Sequence, residues 1–229
     1  MKPTILTATL GLGLVLFGPL SVPATTGPGA FVQLRVSVFN SSPISPATIG
    51  RAESEAGRVL RDAGVEVIWL DCFQDAQPKA PPDLCSGASF PSHLHLRILQ
   101  ASRDLKAATV GVSFSAKDGT GCYADLFYQP IQRLEEVSHA SPSVILGHAM
   151  AHELGHLLLG TNSHSPSGLM RAQWTREDLI NAAKGNLRFS REQSLRIMNR
   201  IGNGEPGDAQ TTVMAGTSRD RKIQTSRIR

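Results

Sequence analysis

The sequence predicts an α+β domain: a mixed, mostly parallel five-stranded sheet, one buried helix against it and further helices on the C-terminal side. Three observations carry this. Apolar and polar residues alternate over 31–39, apolar residues recur at helical spacing over 46–63, and a compact apolar run follows at 65–70, so strand, helix and strand make a parallel crossover unit. Three more runs of strand character lie at 94–99, 108–115 and 121–128. Finally, 141–160 carries both a helix start and a helix stop, and two capping sequences open helices after it.

Taken in order, residues 1–24 read as a secretory signal, with Lys2 as the charged start, an apolar run over 5–20, and Val22, Pro23 and Ala24 around a cleavage point. Thr7, Thr9 and Pro19 interrupt the run, which is short for a stable span, so a retained membrane anchor is disfavoured. The chain is expected to be exported (secreted, periplasmic or extracellular), with no stable membrane insertion after cleavage. No Cys lies at the cleavage point to carry a lipid. A linker (25–30) leads into one domain (31–202). Val32, Leu34, Val36 and Val38 alternate with Gln33, Arg35 and Ser37, and Pro43 and Pro46 end that strand. Ile49, Ala52, Ala56, Val59 and Leu60 form the apolar stripe of the first helix, and Gly64 stops it.

The proline-rich loop 71–92 holds Cys72 and Cys85; an oxidising compartment would bridge them, leaving Cys122 a free, buried thiol. His93 and His95 point away from Leu94 and Leu96 and read as solvated surface residues. Gly111 interrupts the strand 108–115, a turn falls at 117–120, and 129–141 is partly helical. Thr175 with Asp178 and Ser190 with Gln193 have capping-box spacing. The stretch 203–229 is rich in Gly, Ser, Thr and Arg and is expected to be a disordered basic tail.

With 229 residues, 41% hydrophobic and 18% charged, the chain can bury a sizeable core. The net charge is +4, and basic residues crowd the end of the chain, where over 219–229 Arg219, Arg221, Lys222, Arg227 and Arg229 face only Asp220. Basic residues are not patterned on a folded face, so nucleic acid is not an expected partner.

The segment with chemistry is His152-Glu153-Leu154-Gly155-His156, His-Glu-x-x-His on a helix. Ser141 and Pro142 start that helix, Val144, Ile145, Met150, Leu154, Leu157 and Leu158 give it apolar surface, and Gly160 ends it. Residues four apart project from the same face about 6 Å apart along the axis, so His152 and His156 can share one metal ion. Glu153 lies about 100° further round, placed to take a proton from a metal-bound water without ligating the metal. His148, one further turn back, reads as a packing residue.

Helix, following Gly, a further His and a Met in a tight turn together resemble the metzincin branch of zinc metalloproteases, strongly over 144–170 and by element order alone over 31–128. The resemblance implies a third His ligand after the helix, a floor made by Met170, and an exposed edge strand, here 108–115, that pairs with an extended substrate. The family pattern would put Gly at 159 and His at 162, where this chain has Leu159 and Asn162, with Gly160 and His164 later. Three candidates for the third ligand follow: His164, Glu177 and Asn162. Zinc prefers imidazole nitrogen to an amide oxygen, and Glu177 is explained as a first-turn acid of the next helix, which favours His164. The Tyr some members carry after the Met is absent; Arg171, Ala172 and Gln173 follow instead.

The expected function is that of a monomeric zinc endopeptidase acting on protein or peptide substrates, with Zn2+ held by His152, His156 and His164 and Glu153 as general base. Tyr123 and Tyr128 are candidate donors to the tetrahedral intermediate. The alternative is a zinc-stabilised binding module without turnover; Glu153 argues against it, since a structural zinc needs no carboxylate at that place.

Overall fold

The computed structural model describes residues 31–72, 81–102, 105–138, 140–203 and 222–228. The expected signal and linker, residues 73–80 of the proline-rich loop and the first part of the tail lie outside the described residues. In chain order the elements are β1 (Val32–Ser41), α1 (Pro46–Asp62), β2 (Val65–Asp71), the single turn α2 (Pro82–Cys85), β3 (His93–Leu99), β4 (Thr109–Ser115), β5 (Tyr123–Phe127), α3 (Tyr128–Ser138), α4 (Pro142–Leu159), β6 (Gln173–Trp174), α5 (Arg176–Ala183), α6 (Arg191–Gly202) and β7 (Lys222–Ile228).

The crossover unit forms as its pattern requires. Ser45 caps α1 by accepting from the Thr48 amide, Pro46 fills the first turn, and Gly64 takes φ 85° to release the chain into β2. β1 and β2 then pair in parallel from Val32↔Val65. β3 joins the other side of β1, β5 runs parallel to β3, and β4 runs antiparallel to β5. That five-stranded mixed sheet is the expected one. It extends to seven in the order β2-β1-β3-β5-β4-β7-β6. Among the described residues, no helix is long and apolar enough to cross a membrane.

One face of the sheet presents Leu34, Val36, Val38, Leu94, Leu96 and Ile98, all with no exposed surface, to α1 and α4. Each such side chain contributes about 1.5–3 kcal/mol by leaving water. The other face is polar: Arg97 grips Asp125 through two hydrogen bonds of 2.9 and 2.6 Å. His93 and His95 lie there too, but they are not solvated. His93 is buried and shares a 2.8 Å hydrogen bond with Ser37, while His95 stacks among Phe39, His93 and Tyr123 with ring centroids 5.2–5.3 Å away. The cause is the disulfide-bearing loop: Cys72 is bonded to Cys85, and Ser89 then pairs with His93, closing chain over this face. Cys122 is free.

Two further expectations are corrected. Tyr128 begins α3 instead of ending a strand. The tail is not uniformly without structure, since Lys222–Ile228 form β7 between β4 and β6; their backbone is stabilised by pairing, which side-chain composition does not reveal.

Candidate metal centre

α4 is the central helix, and all of its residues except Pro142 and Val144 are buried. Ser141 accepts from the Val144 amide at its start, and at its end Gly160, at φ 81°, donates to the His156 carbonyl (3.0 Å). Asn162 takes φ 59°, a left-handed conformation that Asn tolerates better than most residues. Together the two positions fold Thr161, Asn162 and Ser163 back under the helix and deliver His164 to the cluster.

His152, His156 and His164 converge, with a ligand nitrogen of each within 4.8 Å of the others, and ring centroids are 4.6 Å apart for His152–His156 and 4.5 Å for His156–His164. Among the described residues this cluster takes in no carboxylate, so Glu177, exposed in the first turn of α5, is not part of it.

The tautomer of His152 is fixed by its partner. Its Nδ1 lies 2.7 Å from the Leu169 carbonyl, which can only accept, so Nδ1 carries the hydrogen and Nε2 keeps its lone pair. That Nε2 is buried and makes no hydrogen bond. Burial holds the His152 pKa down at about 4, with the Leu169 bond opposing and His164 adding to the fall. His164 is likewise lowered by burial. His156 Nδ1 is 2.6 Å from Ser163 Oγ. Three converging imidazoles, two of them with Nδ1 held by a neighbour, are a donor set that fits Zn2+.

Glu153 is fully buried beside this set and lies against β4. Ser113 Oγ donates to its Oε2 at 2.5 Å and also lies 3.0 Å from its carbonyl oxygen. Gly111 leaves the room: a Cβ there would stand 2.5 Å from Glu153 Oε1. Met170 is buried under the same turn of α4, its Sδ only 2.7 Å from where a Cβ at Gly155 would lie. The turn carrying it is closed by Ser165 donating to the Met170 carbonyl (2.9 Å), and Arg171 ties it to α5 through Asp178 (2.8 Å), which also completes the Thr175 capping box.

His148 is fully buried but points at α1, with Nδ1 2.9 Å from the Val144 carbonyl and Nε2 3.6 Å from Glu55. It is a packing residue. Neither tyrosine reaches the centre: Tyr123 stacks on His95 on the opposite sheet face, and Tyr128 is in the core. Two residues that the motif does not reveal are Ser163, through its contact with His156, and Trp174. The indole of Trp174 donates to the Leu169 carbonyl at 2.9 Å and its ring sits 5.6 Å from His152. A cavity of about 430 Å³ between α4 and α6 is separate, and its cations are committed: Arg196 donates to the Leu159 carbonyl at 3.1 Å and Arg200 to that of Gly119 at 3.0 Å.

No family model matches this sequence, and no curated protein is similar to it in sequence. Among solved structures, it is similar to a zinc-dependent peptidase from Methanocorpusculum labreanum, at 12% identity and TM-score 0.45 over 71% of this chain and 99% of the other. It is also similar to archaemetzincin from Methanopyrus kandleri, at 18% identity and TM-score 0.41 over 77% of this chain and 99% of that one.

Proposed function

We propose that this chain is an exported zinc-dependent endopeptidase, in which His152, His156 and His164 hold the metal and Glu153 is the general base. The observation that carries the reading is the convergence of the three imidazoles with a buried carboxylate fixed beside them by Ser113. Bound zinc supplies Lewis acidity, which acidifies water and polarises a peptide carbonyl.

The chain's own residues do the rest. Leu169 orients His152 and Ser163 orients His156, and His164 joins them from the turn after the helix. Ser113 holds Oε2 of Glu153 and so fixes the carboxylate, which takes a proton from the attacking water and passes it to the leaving amine. Met170 closes the apolar floor below.

The test is Glu153→Gln, nearly isosteric and unable to accept the proton. Wild type should hydrolyse casein or a quenched peptide library, a chelator should stop it and added zinc restore it. Glu153→Gln should bind one zinc per chain and lose about 100-fold or more in kcat. Turnover within a few-fold of wild type would remove Glu153 from the mechanism. Stoichiometric zinc with no hydrolysis by wild type would favour the zinc-stabilised binding module.

A further inference from the structure

The outer edge of β4, the strand that lies against the Glu153 carboxylate, is filled by the chain itself. β7 runs antiparallel to β4 in the register Ser115↔Lys222, Phe114↔Ile223, Ser113↔Gln224, Val112↔Thr225 and Gly111↔Ser226, with an irregularity before Thr109↔Arg227. On its other side β7 runs parallel to β6, Gln173 with Arg227 and Trp174 with Ile228. Both flanking strands belong to the candidate centre. Gly111 and Ser113 are the residues against which the Glu153 carboxylate lies, and Trp174 is the residue that shares the Leu169 carbonyl with His152.

We propose that Lys222–Ile228 are a tethered occupant of the peptide-binding slot: they fill the place between β4 and β6 that a substrate strand would take, and substrate enters by displacing them. This rests on the peptidase reading above. Neighbouring strands are about 4.8 Å apart, so β4 and β6 stand about 10 Å apart with room for one strand between them. Substrate and β7 are therefore mutually exclusive. Main-chain pairing supplies the binding in both cases, so it tolerates many side chains and makes the chain's own tail an adequate stand-in. The register also fixes a direction: a substrate that replaces β7 runs antiparallel to β4.

Proline tests this in the full-length chain without changing its charge. Successive amides of a strand point to alternate sides, so Gln224→Pro with Thr225→Pro removes a donor from the β4 side whichever residue supplies it. A labelled synthetic peptide of residues 222–229 is then titrated against zinc-loaded wild type and the double variant. The peptide should bind the variant and bind wild type at least about tenfold more weakly, because the tethered copy competes at high effective concentration. Equal binding to both, or binding to neither, would overturn the proposal, and either result can be read even if neither protein hydrolyses anything. If hydrolysis occurs, the variant should show an apparent KM about tenfold or more lower at unchanged kcat; an unchanged KM would overturn it. Should the variant not fold, a specific protease site inserted after Ala209 allows the tail to be released from the folded chain, and the same titration is run before and after cutting.

Discussion

Gly111→Ala is the sharpest perturbation available, because the obstacle and the distance are both known. The added Cβ would stand 2.5 Å from Oε1, 2.7 Å from Cγ and 2.8 Å from Cδ of Glu153. Ordinary contact begins near about 3.5 Å, so the carboxylate must retreat by about 1 Å or β4 must move outward. The first is the easier response, since β4 is hydrogen-bonded on both edges, to β5 and to β7. A misplacement of about 1 Å in a catalytic group costs about 100-fold in rate, or about 2.7 kcal/mol in activation free energy. The three histidines are not touched, so zinc affinity should be unchanged. The assay pairs kcat/KM on a quenched peptide with zinc affinity by chelator competition, and Gly111→Ala should add nothing further in a Glu153→Gln background. A variant that keeps kcat/KM within threefold of wild type would show that the position of Glu153 does not matter.

His164→Ala should lose zinc affinity by more than the about 100-fold expected for an outer residue, while Glu177→Ala and Asn162→Ala bind zinc like wild type; the reverse pattern in chelator competition would move the third ligand. Ser163→Ala and Trp174→Phe, which remove a partner of His156 and the indole donor to Leu169, should each weaken zinc about 10–100-fold without abolishing it, and unchanged affinity would strip both of their orienting role. Cys72→Ser with Cys85→Ser opens a loop of sequence separation 13 and should cost about 3 kcal/mol in denaturant unfolding, a loss under about 0.5 kcal/mol refuting it.

Local signals account for most of what could be read beforehand. The alternation before Pro43, the stripe from Ile49 to Leu60 and the two capping boxes each act within a few residues, so β1, α1, α5 and α6 were legible in sequence. His152 and His156 were legible for the same reason, and the reach of His164 followed from the freedom of Gly160 and Asn162 to turn the chain. Long-range causes were not. Nothing near His93 announces that a disulfide-bearing loop covers it, nothing near Trp174 announces that its indole meets the carbonyl that pins His152, and β7 is a strand only because two others offer it hydrogen bonds. α4 itself lacks a one-sided apolar pattern because it is buried nearly all round, and only its caps and the motif mark it.

That all-round burial limits how the chain can change over evolutionary time. Truncating a buried Leu or Ile costs about 2–5 kcal/mol, against a total stability of about 5–15 kcal/mol for a typical domain. Leu146, Leu154, Leu157 and Leu158 have no exposed surface, and Gly155 cannot gain a methyl without meeting Met170 and Phe189. Two changes inside α4 could therefore exhaust the fold. New preferences among partners would have to be acquired elsewhere, on β4, the turn from Gly160 to Met170 and the tail, which leaves the metal-bearing helix a fixed chassis beneath replaceable surfaces.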